Sequence, residues 1–417
     1  MATNDVVITG LGCISPHGRG VAALWNGLLE GRQAFLPLTL FDASMFRNPL
    51  AGIVKDYSAS QASGSRAFQM LHDAAAEALS DALGLHSLTK TVEGDAGIRE
   101  LVAGIEGLKH AAIVTGSNFG GMSAAETALT SPSGAESGSA ESLDGYLFGS
   151  ASQSLSEWFG IAGPHMNLSL SCASGTAAIG LAFDLIRRGR AEAVLACGYD
   201  ELSLYVYAGL SALRAITPET IRPFDKRRKG TLFSEGAGAM LLESAEHAAQ
   251  RGAPRIYAKI IGRAMNNDAY HMTAPEQEAR GIQALLRSAL GDARLGPGQI
   301  DHLNLHATGT PYNDAIETKA VHAVFGEQGR EIPVCSIKSS IGHCLGAAGI
   351  IESIAAVMTM REGKIPAVLG LEAAEKDPQC NLNTPLGKPL EGDYRTVLKT
   401  SYGFGGTNAA VVLTTND

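Results

Sequence analysis

Charged residues are scarce in this chain, and their balance excludes several classes of protein. Of its 417 residues, 18% are Asp, Glu, Lys or Arg, and the formal net charge is −9. A general nucleic-acid binder needs a basic face, so this balance argues against one. Long apolar runs are also missing. The best candidate, Gly346–Met360, falls short of the roughly 18 residues of a membrane span and contains Glu352.

Cysteine is sparse, and its spacing excludes the common metal and redox motifs. The closest pair is nine residues apart, so no CxxC motif exists, and we expect neither a metal nor a redox cofactor. Few cysteines in a long chain favour a reducing cytoplasm over a disulfide scaffold. The start of the chain, MATNDVVITG, has no cationic segment and predicts a first strand instead of a signal peptide.

Glycine and apolar residues are plentiful, with 49 glycines and 45% apolar residues. Short strand-like runs alternate with longer Ala-rich stretches such as Ala67–Leu83, where apolar residues recur at helical spacing. This alternation predicts an α/β fold with buried strands. The pattern starts again near Arg255, which predicts a duplicated architecture with halves at residues 1–255 and 256–417.

The first glycine-rich segment is not a nucleotide-binding motif. It runs from Gly10 to Ser15 after a strand and is predicted to be a turn. A dinucleotide fingerprint needs a third glycine where Ser15 stands, and Pro16 would break the incoming helix. The chain also has no GxxxxGK[ST] segment, so nucleotide binding is not expected.

Cys172 lies where a predicted strand gives way to a predicted helix, in the segment SLSCASGTAAIG. This is the arrangement of a nucleophile elbow, which presents a reactive atom on a tight turn. The helix N-terminus would stabilise a thiolate and lower the thiol pKa, and its free N–H groups can hold an oxyanion. A small buried cysteine at a strand–helix crossing is the structural alternative.

Further polar residues follow other predicted strands. His306 follows one strand, Lys338 and His343 follow another, and Phe404 lies in the glycine-rich turn of a predicted terminal hairpin. Lys is a poor choice at a core strand end unless it is paired. Each residue alone has a structural explanation. Together with Cys172 they form a Cys/His constellation typical of acyl transfer or hydrolysis.

The chain resembles the type II, elongating β-ketoacyl-acyl carrier protein synthases of the thiolase superfamily. The resemblance runs from end to end and rests on the segments VVITGLGCISPHG, RPFDKRRKG, SEGAGA, DAYHMTAP, HATGTPYND, SIKSSIGHCLGAAGIIE and SYGFGGTNAAVVL. It implies a thiolase-like, duplicated five-layer αβαβα fold. It also implies a decarboxylative condensation of a malonyl unit with an acyl chain, without cofactor or metal.

The resemblance also implies a role for each site residue. Cys172 becomes the acyl-accepting nucleophile, while His306 and His343 bind the malonyl thioester and promote decarboxylation. Lys338 is expected to support the histidines through Glu317. The N–H groups of Cys172 and Phe404 would form an oxyanion hole, and the Phe404 ring would gate the pocket. The other implied residues are Thr308, Thr310, His271 and Thr231 for substrate binding and Glu317, Asp314 and Glu352 for support.

The chain departs from the housekeeping fatty-acid enzymes around its RPFD segment. Lys229 replaces an aspartate, which makes Lys226, Arg227, Arg228 and Lys229 a basic run. Since acyl carrier proteins are acidic, this run is a candidate docking site, with a solvated charged turn as the alternative. Thr231 replaces an aromatic residue and would enlarge the acyl pocket. These changes leave the pathway open between fatty-acid and polyene or polyketide elongation.

Two other functions remain open, as does the assembly. One is a non-catalytic ketosynthase-like partner subunit, which would usually lack the cysteine. The other is a degradative thiolase or a thioester hydrolase, and a thiolase would need a second catalytic cysteine, for which only Cys380 is available. The resemblance implies a homodimer, or a heterodimer with a similar chain. The Ser/Gly-rich segment 130–144 predicts a surface loop, either a tolerated insertion or a lid or partner contact.

Because only Cys172 occupies a predicted elbow, we expect it to be the sole acylated cysteine. An acyl donor or iodoacetamide should modify Cys172 first, and Cys172→Ala should abolish condensation. Peptide mapping by mass spectrometry measures this. Preferential labelling of Cys344 or Cys380, with activity lost in step, would contradict the assignment.

Overall fold

The computed structural model describes residues 5–55, 57, 65–85, 92–130 and 146–416. Apart from its first residue, the predicted loop at 130–144 lies outside this part of the chain. Within the described residues, no helix is both long enough and apolar enough to cross a bilayer.

Helices account for much of the described chain, and the longer ones follow the Ala-rich stretches of the sequence. The α-helices are α1 (Val21–Leu29), α2 (Arg66–Ala82), α3 (Val92–Gly104), α4 (Glu106–Lys109), α5 (Met122–Thr130), α6 (Phe148–Phe159), α7 (Ser174–Arg187), α8 (Leu204–Ala212), α9 (Ala245–Gln250), α10 (Arg280–Ala293), α11 (Asn313–Phe325), α12 (Lys338–Ile341) and α13 (Ala348–Glu362).

The strands fall into two sets that are joined edge to edge. The strands are β1 (Val6–Ser15), β2 (Gly18–Arg19), β3 (Leu36–Pro37), β4 (Leu50–Ala51), β5 (Ala112–Gly116), β6 (His165–Leu168), β7 (Ala193–Asp200), β8 (Gly236–Ser244), β9 (Ala258–Asn267), β10 (His302–Asn304), β11 (Val334–Cys335), β12 (Lys364–Ile365), β13 (Leu390–Glu391), β14 (Thr396–Gly403) and β15 (Thr407–Thr414). The main sheet has the order β11-β10-β14-β15-β9-β1-β8-β7-β5-β6.

The strand directions repeat between the two sets, as a duplicated fold requires. In the order β1-β8-β7-β5-β6, the first two pairings are antiparallel and the next two are parallel. The order β9-β15-β14-β10-β11 has the same sequence of directions. The sets meet where β1 pairs with β9. The proposed boundary at residue 255 stays a prediction; β9, the first strand of the second set, begins at Ala258.

Two helices form the middle of the molecule. Helices α7 and α13 pack against each other, and each contacts strands of both sets. Helix α2 covers the outer side of β1 and β8, while α10 covers the outer side of β9 and β15. The order is therefore helix, sheet, helix pair, sheet, helix, which confirms the predicted five-layer α/β fold.

The prediction of a turn at Gly10–Ser15 was wrong, because β1 continues through this segment to Ser15. The glycines serve helix packing instead. A Cβ atom on Gly10 would lie 2.1 Å from the carbonyl oxygen of Ala78, and one on Gly12 would lie 1.9 Å from that of Ala74. Helix α2 therefore rests directly on the backbone of β1, which only glycine permits at these positions.

Acidic side chains fix the starts of two helices. Helix α10 begins at Arg280, because Ala279 has a left-handed φ of 55° and the Glu276 carboxylate accepts the N–H of Arg280 at 2.9 Å. Helix α13 begins at Ala348, two residues after the start of the apolar run at Gly346. The N–H of Gly346 donates to Asp200 at 2.6 Å, and a short 3₁₀ turn precedes the helix.

We expect Gly12→Ala to lower the free energy of unfolding by about 1–3 kcal/mol or more, because the new methyl group overpacks the β1–α2 contact. Gly209→Ala is the matched control. Gly209 lies within α8 and is exposed, and a Cβ atom added there would meet nothing within 4 Å. That variant should be neutral or gain up to about 1 kcal/mol. Urea unfolding monitored by circular dichroism measures both, and equal effects would refute the packing argument.

Candidate active site

Cys172 lies in a locked turn between β6 and α7. The preceding residue, Ser171, has a left-handed φ of 49°, which is costly for a residue with a side chain. Ser174 holds this conformation, since its hydroxyl donates to the Ser171 carbonyl at 2.6 Å and accepts the N–H of Leu170 at 2.9 Å. Cys172 is therefore held two residues before the first turn of α7.

The expectation of a lowered thiol pKa was wrong. Cys172 is only 6% exposed, and burial raises the pKa of its thiol to about 12. The charge on Lys338 acts in the opposite direction, whereas Asp200 and Glu352 add to the increase in pKa. The resting side chain is a neutral thiol, so it must lose its proton during its reaction with a substrate.

His306 follows β10 in a strained turn that Glu317 holds together. The Glu317 carboxylate accepts the N–H of His306 at 2.9 Å and the N–H of Ala307 at 2.8 Å, and Ala307 has a φ of 29°. It also accepts the Thr400 hydroxyl at 3.1 Å. Burial raises the pKa of Glu317 to about 7. Glu317 thus positions the His306 backbone and makes no bond to the imidazole.

His343 lies beside His306, with ring centres 5.3 Å apart and ring planes at 85°. Its backbone is held by main-chain hydrogen bonds to Leu232 and Ser234, and its ring stacks on Phe233 at 5.6 Å. Within the described residues the buried Nδ1 atom of His343 has no hydrogen-bond partner.

Both imidazoles are neutral at neutral pH. Burial lowers the pKa of His306 and of His343 well below 6.5, and the charges on Lys338 and Lys399 lower them further. Lys338 Nζ lies 3.4 Å from His306 Nδ1. Because an ammonium group can only donate, Nδ1 of His306 is the acceptor, and its proton is on Nε2.

Lys338 pairs with Glu352, not with Glu317 as expected. Its ammonium group forms a buried ion pair with one Glu352 oxygen and donates to the His306 carbonyl at 2.7 Å. Glu317 is occupied by backbone N–H groups. The other Glu352 oxygen lies 2.7 Å from Nζ of Lys399, a residue that the sequence analysis missed. The sequence did indicate Lys399, because a lysine inside a predicted buried strand needs a partner of opposite charge.

The terminal hairpin brings Phe404 to the Cys172 turn. A Cβ atom on Gly403 would lie 2.9 Å from the Leu170 carbonyl oxygen, so the two turns touch directly. The Thr407 hydroxyl donates to the same oxygen at 2.9 Å. The Phe404 ring is half-buried and packs against an apolar cluster that includes Phe233.

One cavity of about 350 Å³ connects most of the predicted site residues. Its lining includes Cys172, His306, His343, Phe404, Thr231, Thr308, Thr310, His271 and Lys229. His271 is exposed at the rim, and Thr308 and Thr310 contact each other at 3.0 Å.

Four predicted residues lie behind the cavity wall: Lys338, Glu352, Glu317 and Asp314. Asp314 accepts the N–H of Phe224 at 2.9 Å and that of Gly309 at 3.1 Å. It therefore organises a loop of the wall and does not touch the cavity.

The basic run 226–229 is not a free basic patch, because acidic neighbours pair with each of its members. The Arg228 side chain is only 6% exposed and pairs with Asp377, which argues against a role in docking. Lys226 and Arg227 pair with Glu375, Arg227 also pairs with Asp225, and Lys229 pairs with Glu219. Lys226, Arg227 and Lys229 are half-exposed and stay docking candidates.

Comparison with solved structures places the fold among the ketosynthases. The chain superimposes with a TM-score of 0.87 on the ishigamide ketosynthase/chain length factor, at 31% identity over the whole of both chains. It superimposes with a TM-score of 0.86 on a structure of a type II polyketide synthase acyl-carrier protein in complex with its ketosynthase, at 29% identity over 99% of this chain and all of the other. The fold is therefore thiolase-like.

The sequence matches lead to the same family. The model of the β-ketoacyl synthase N-terminal domain matches residues 3–248, and that of the C-terminal domain matches residues 257–372. The chain is also 34% identical to the 3-oxoacyl-(acyl-carrier-protein) synthase 2 of Coxiella burnetii, over 99% of both chains. The chain belongs to the β-ketoacyl synthase family, which confirms the resemblance found in the sequence.

The raised thiol pKa predicts how Cys172 reacts with an alkylating agent as the pH changes. With a pKa of about 12, the thiolate fraction should rise about tenfold per pH unit from pH 7 to 10, without a plateau. The rate of Cys172 carbamidomethylation by iodoacetamide, followed by intact mass, should rise in parallel. A plateau beginning near pH 7 would show that the resting side chain is already a thiolate.

Proposed function

We propose that this chain is a β-ketoacyl-acyl carrier protein synthase that condenses a malonyl unit with an acyl chain held on Cys172. The observation that carries the proposal is the shared cavity, in which one thiol and two neutral imidazoles meet. A thioester carbonyl needs a soft nucleophile, and an enolate needs positioned hydrogen-bond donors, so this set of groups suits both half-reactions.

In the first half-reaction the Cys172 sulfur attacks the acyl thioester carbonyl. The thiol proton passes to a neutral imidazole of the pair, and then to the carrier thiolate as it leaves. The new bond is the Cys172 thioester, and the broken bond is that between the acyl carbon and the carrier sulfur. The N–H groups of Cys172 and Phe404, on turns that touch each other, are the proposed donors to the tetrahedral oxyanion.

In the second half-reaction the malonyl thioester oxygen binds the two imidazoles. His306 donates from Nε2, because its Nδ1 atom faces the Lys338 ammonium group. Loss of CO₂ leaves its bonding electrons in an enolate that these donors stabilise. The enolate carbon then attacks the acyl-Cys172 carbonyl, a carbon–carbon bond forms, and the Cys172 thiolate leaves. A proton from solvent then restores the resting Cys172 thiol.

The remaining lining residues suit binding of the thioester and its arm. Thr308 and Thr310 offer hydroxyl groups along the cavity, and His271 lies at its rim. Thr231 is buried in the wall, where its small side chain leaves room for an acyl chain. The pathway, fatty-acid or polyketide elongation, depends on the shape of this cavity.

The proposed partners are acyl- and malonyl-loaded carrier proteins, together with a second chain of the same fold. The solved relatives support both, since one contains an acyl-carrier protein and another pairs a ketosynthase with a chain length factor. The half-exposed cations Lys226, Arg227 and Lys229 are the proposed docking residues. We place the reaction in the cytoplasm, because all six cysteines are free and buried, which suits a reducing compartment.

A non-catalytic partner subunit is the alternative function, and the cavity argues against it. A subunit that only shapes a neighbour's pocket has no need of a thiol, two imidazoles and a buried Lys338–Glu352 pair around one cavity. Acylation of Cys172 in single-turnover assays distinguishes the two functions.

We expect His306→Ala and His343→Ala each to slow malonyl decarboxylation on the order of 10²–10³-fold, the scale for loss of an oxyanion donor. Acylation of Cys172 should survive at least in part, since the other imidazole remains as proton acceptor. CO₂ release from malonyl carrier protein and intact mass after exposure to acyl carrier protein measure the two steps. Loss of acylation with decarboxylation intact would reverse the assigned roles.

A further inference from the structure

Two lysines share one carboxylate behind the histidine pair, and all three side chains are buried. Lys338 and Lys399 are both fully buried, and Glu352 is 2% exposed. The Lys338 ammonium group forms an ion pair with one carboxylate oxygen of Glu352, and Nζ of Lys399 lies 2.7 Å from the other oxygen. Lys399 comes from the interior strand β14, which pairs with β10 and β15.

The second lysine needs an explanation in terms of function. Burying an ammonium group is costly unless it is paired, and one carboxylate already neutralises Lys338. A second ammonium group on the same carboxylate adds positive charge next to the histidines. Each oxygen of Glu352 therefore faces an ammonium group.

Hydroxyl groups also connect Lys399 to α7, the helix that follows Cys172. Its ammonium group donates to the Ser401 hydroxyl at 3.0 Å, and Ser401 and Thr176 are joined by a hydroxyl–hydroxyl bond of 2.8 Å. Thr176 lies in the first turn of α7. Lys399 therefore connects the Lys338–Glu352 pair to the first turn of α7, which directly follows the Cys172 turn.

We propose that Lys399 is a positioning residue for decarboxylation, which holds Glu352 so that Lys338 keeps His306 in place for the enolate. This inference rests on the proposed function. It adds to that function a residue that acts through Glu352 and not through contact with the substrate.

The surroundings of Lys399 determine the pH dependence that follows. The titratable and charged groups that face this site from the neighbouring elements are Glu352, Lys338, Glu317, His306, His343, Cys172, Cys335 and Tyr402. The Lys399 charge disfavours protonation of both histidines. Removing it makes the imidazolium form less unfavourable, so each histidine pKa rises and the neutral form is lost at a higher pH.

The experiment compares Lys399→Met with the wild type in the two half-reactions measured separately. We expect decarboxylation of malonyl carrier protein to slow on the order of tenfold to a hundredfold, the scale for a displaced catalytic group. The acid limb of its pH profile should move to higher pH, while the extent of Cys172 acylation should remain near that of the wild type. Lys259→Met, on β9 with a partly exposed side chain, is the matched control and should behave as the wild type.

A double-mutant cycle with Glu352→Gln tests whether Lys399 acts through that carboxylate. Non-additive losses in decarboxylation support the inference, and additive losses overturn it. Equal loss of both half-reactions in Lys399→Met, or an unmoved acid limb, also overturns it. If Lys399→Met does not fold, Lys399→Arg decides, because retention of the charge should keep the wild-type acid limb. A wild type that neither acylates Cys172 nor decarboxylates refutes the proposed function itself.

Discussion

The close approach of two helix starts is the constraint on which the site depends. A Cβ atom on Gly175 would lie 2.8 Å from the Gly346 carbonyl oxygen, and one on Gly349 would lie 2.4 Å from the N–H nitrogen of Thr176. Glycine on both sides therefore lets the N-terminal ends of α7 and α13 touch in the central layer. The first helix follows Cys172 and the second carries Glu352, so this contact brings the two halves of the chain into one site.

Burial then sets the electrostatics of that site. It keeps the Cys172 thiol protonated and both imidazoles neutral, so the resting site presents one proton donor beside two bases. The charges are kept behind the wall in the Lys338–Glu352 pair, where they orient groups without meeting the substrate. The charged residues therefore position the side chains of the site, and the neutral thiol and imidazoles react with the substrate.

Much of the site was readable in the sequence. Cys172, His306 and His343 were all expected near strand ends, and they line one cavity. The errors share a cause: local pattern does not reveal which side chains meet in space. Glu317 was assigned to Lys338 because both were expected near the site, yet it binds the backbone of the strained turn at Ala307. Arg228 was taken as exposed within a charged run, yet it is buried against Asp377.

The sequence by itself determined the alternation of strands and helices, the duplication and the identity of the reactive groups, because periodicity, glycine placement and residue chemistry are local properties. Only the tertiary structure decided which charged side chains pair with each other, whether the Cys172 thiol is protonated, and that Lys399 lies beside Glu352. These depend on burial and on distances between residues far apart in the chain, as in the pairing of residues 338, 352 and 399. A pKa is set by the whole surroundings of a group, and those surroundings exist only once the chain has folded.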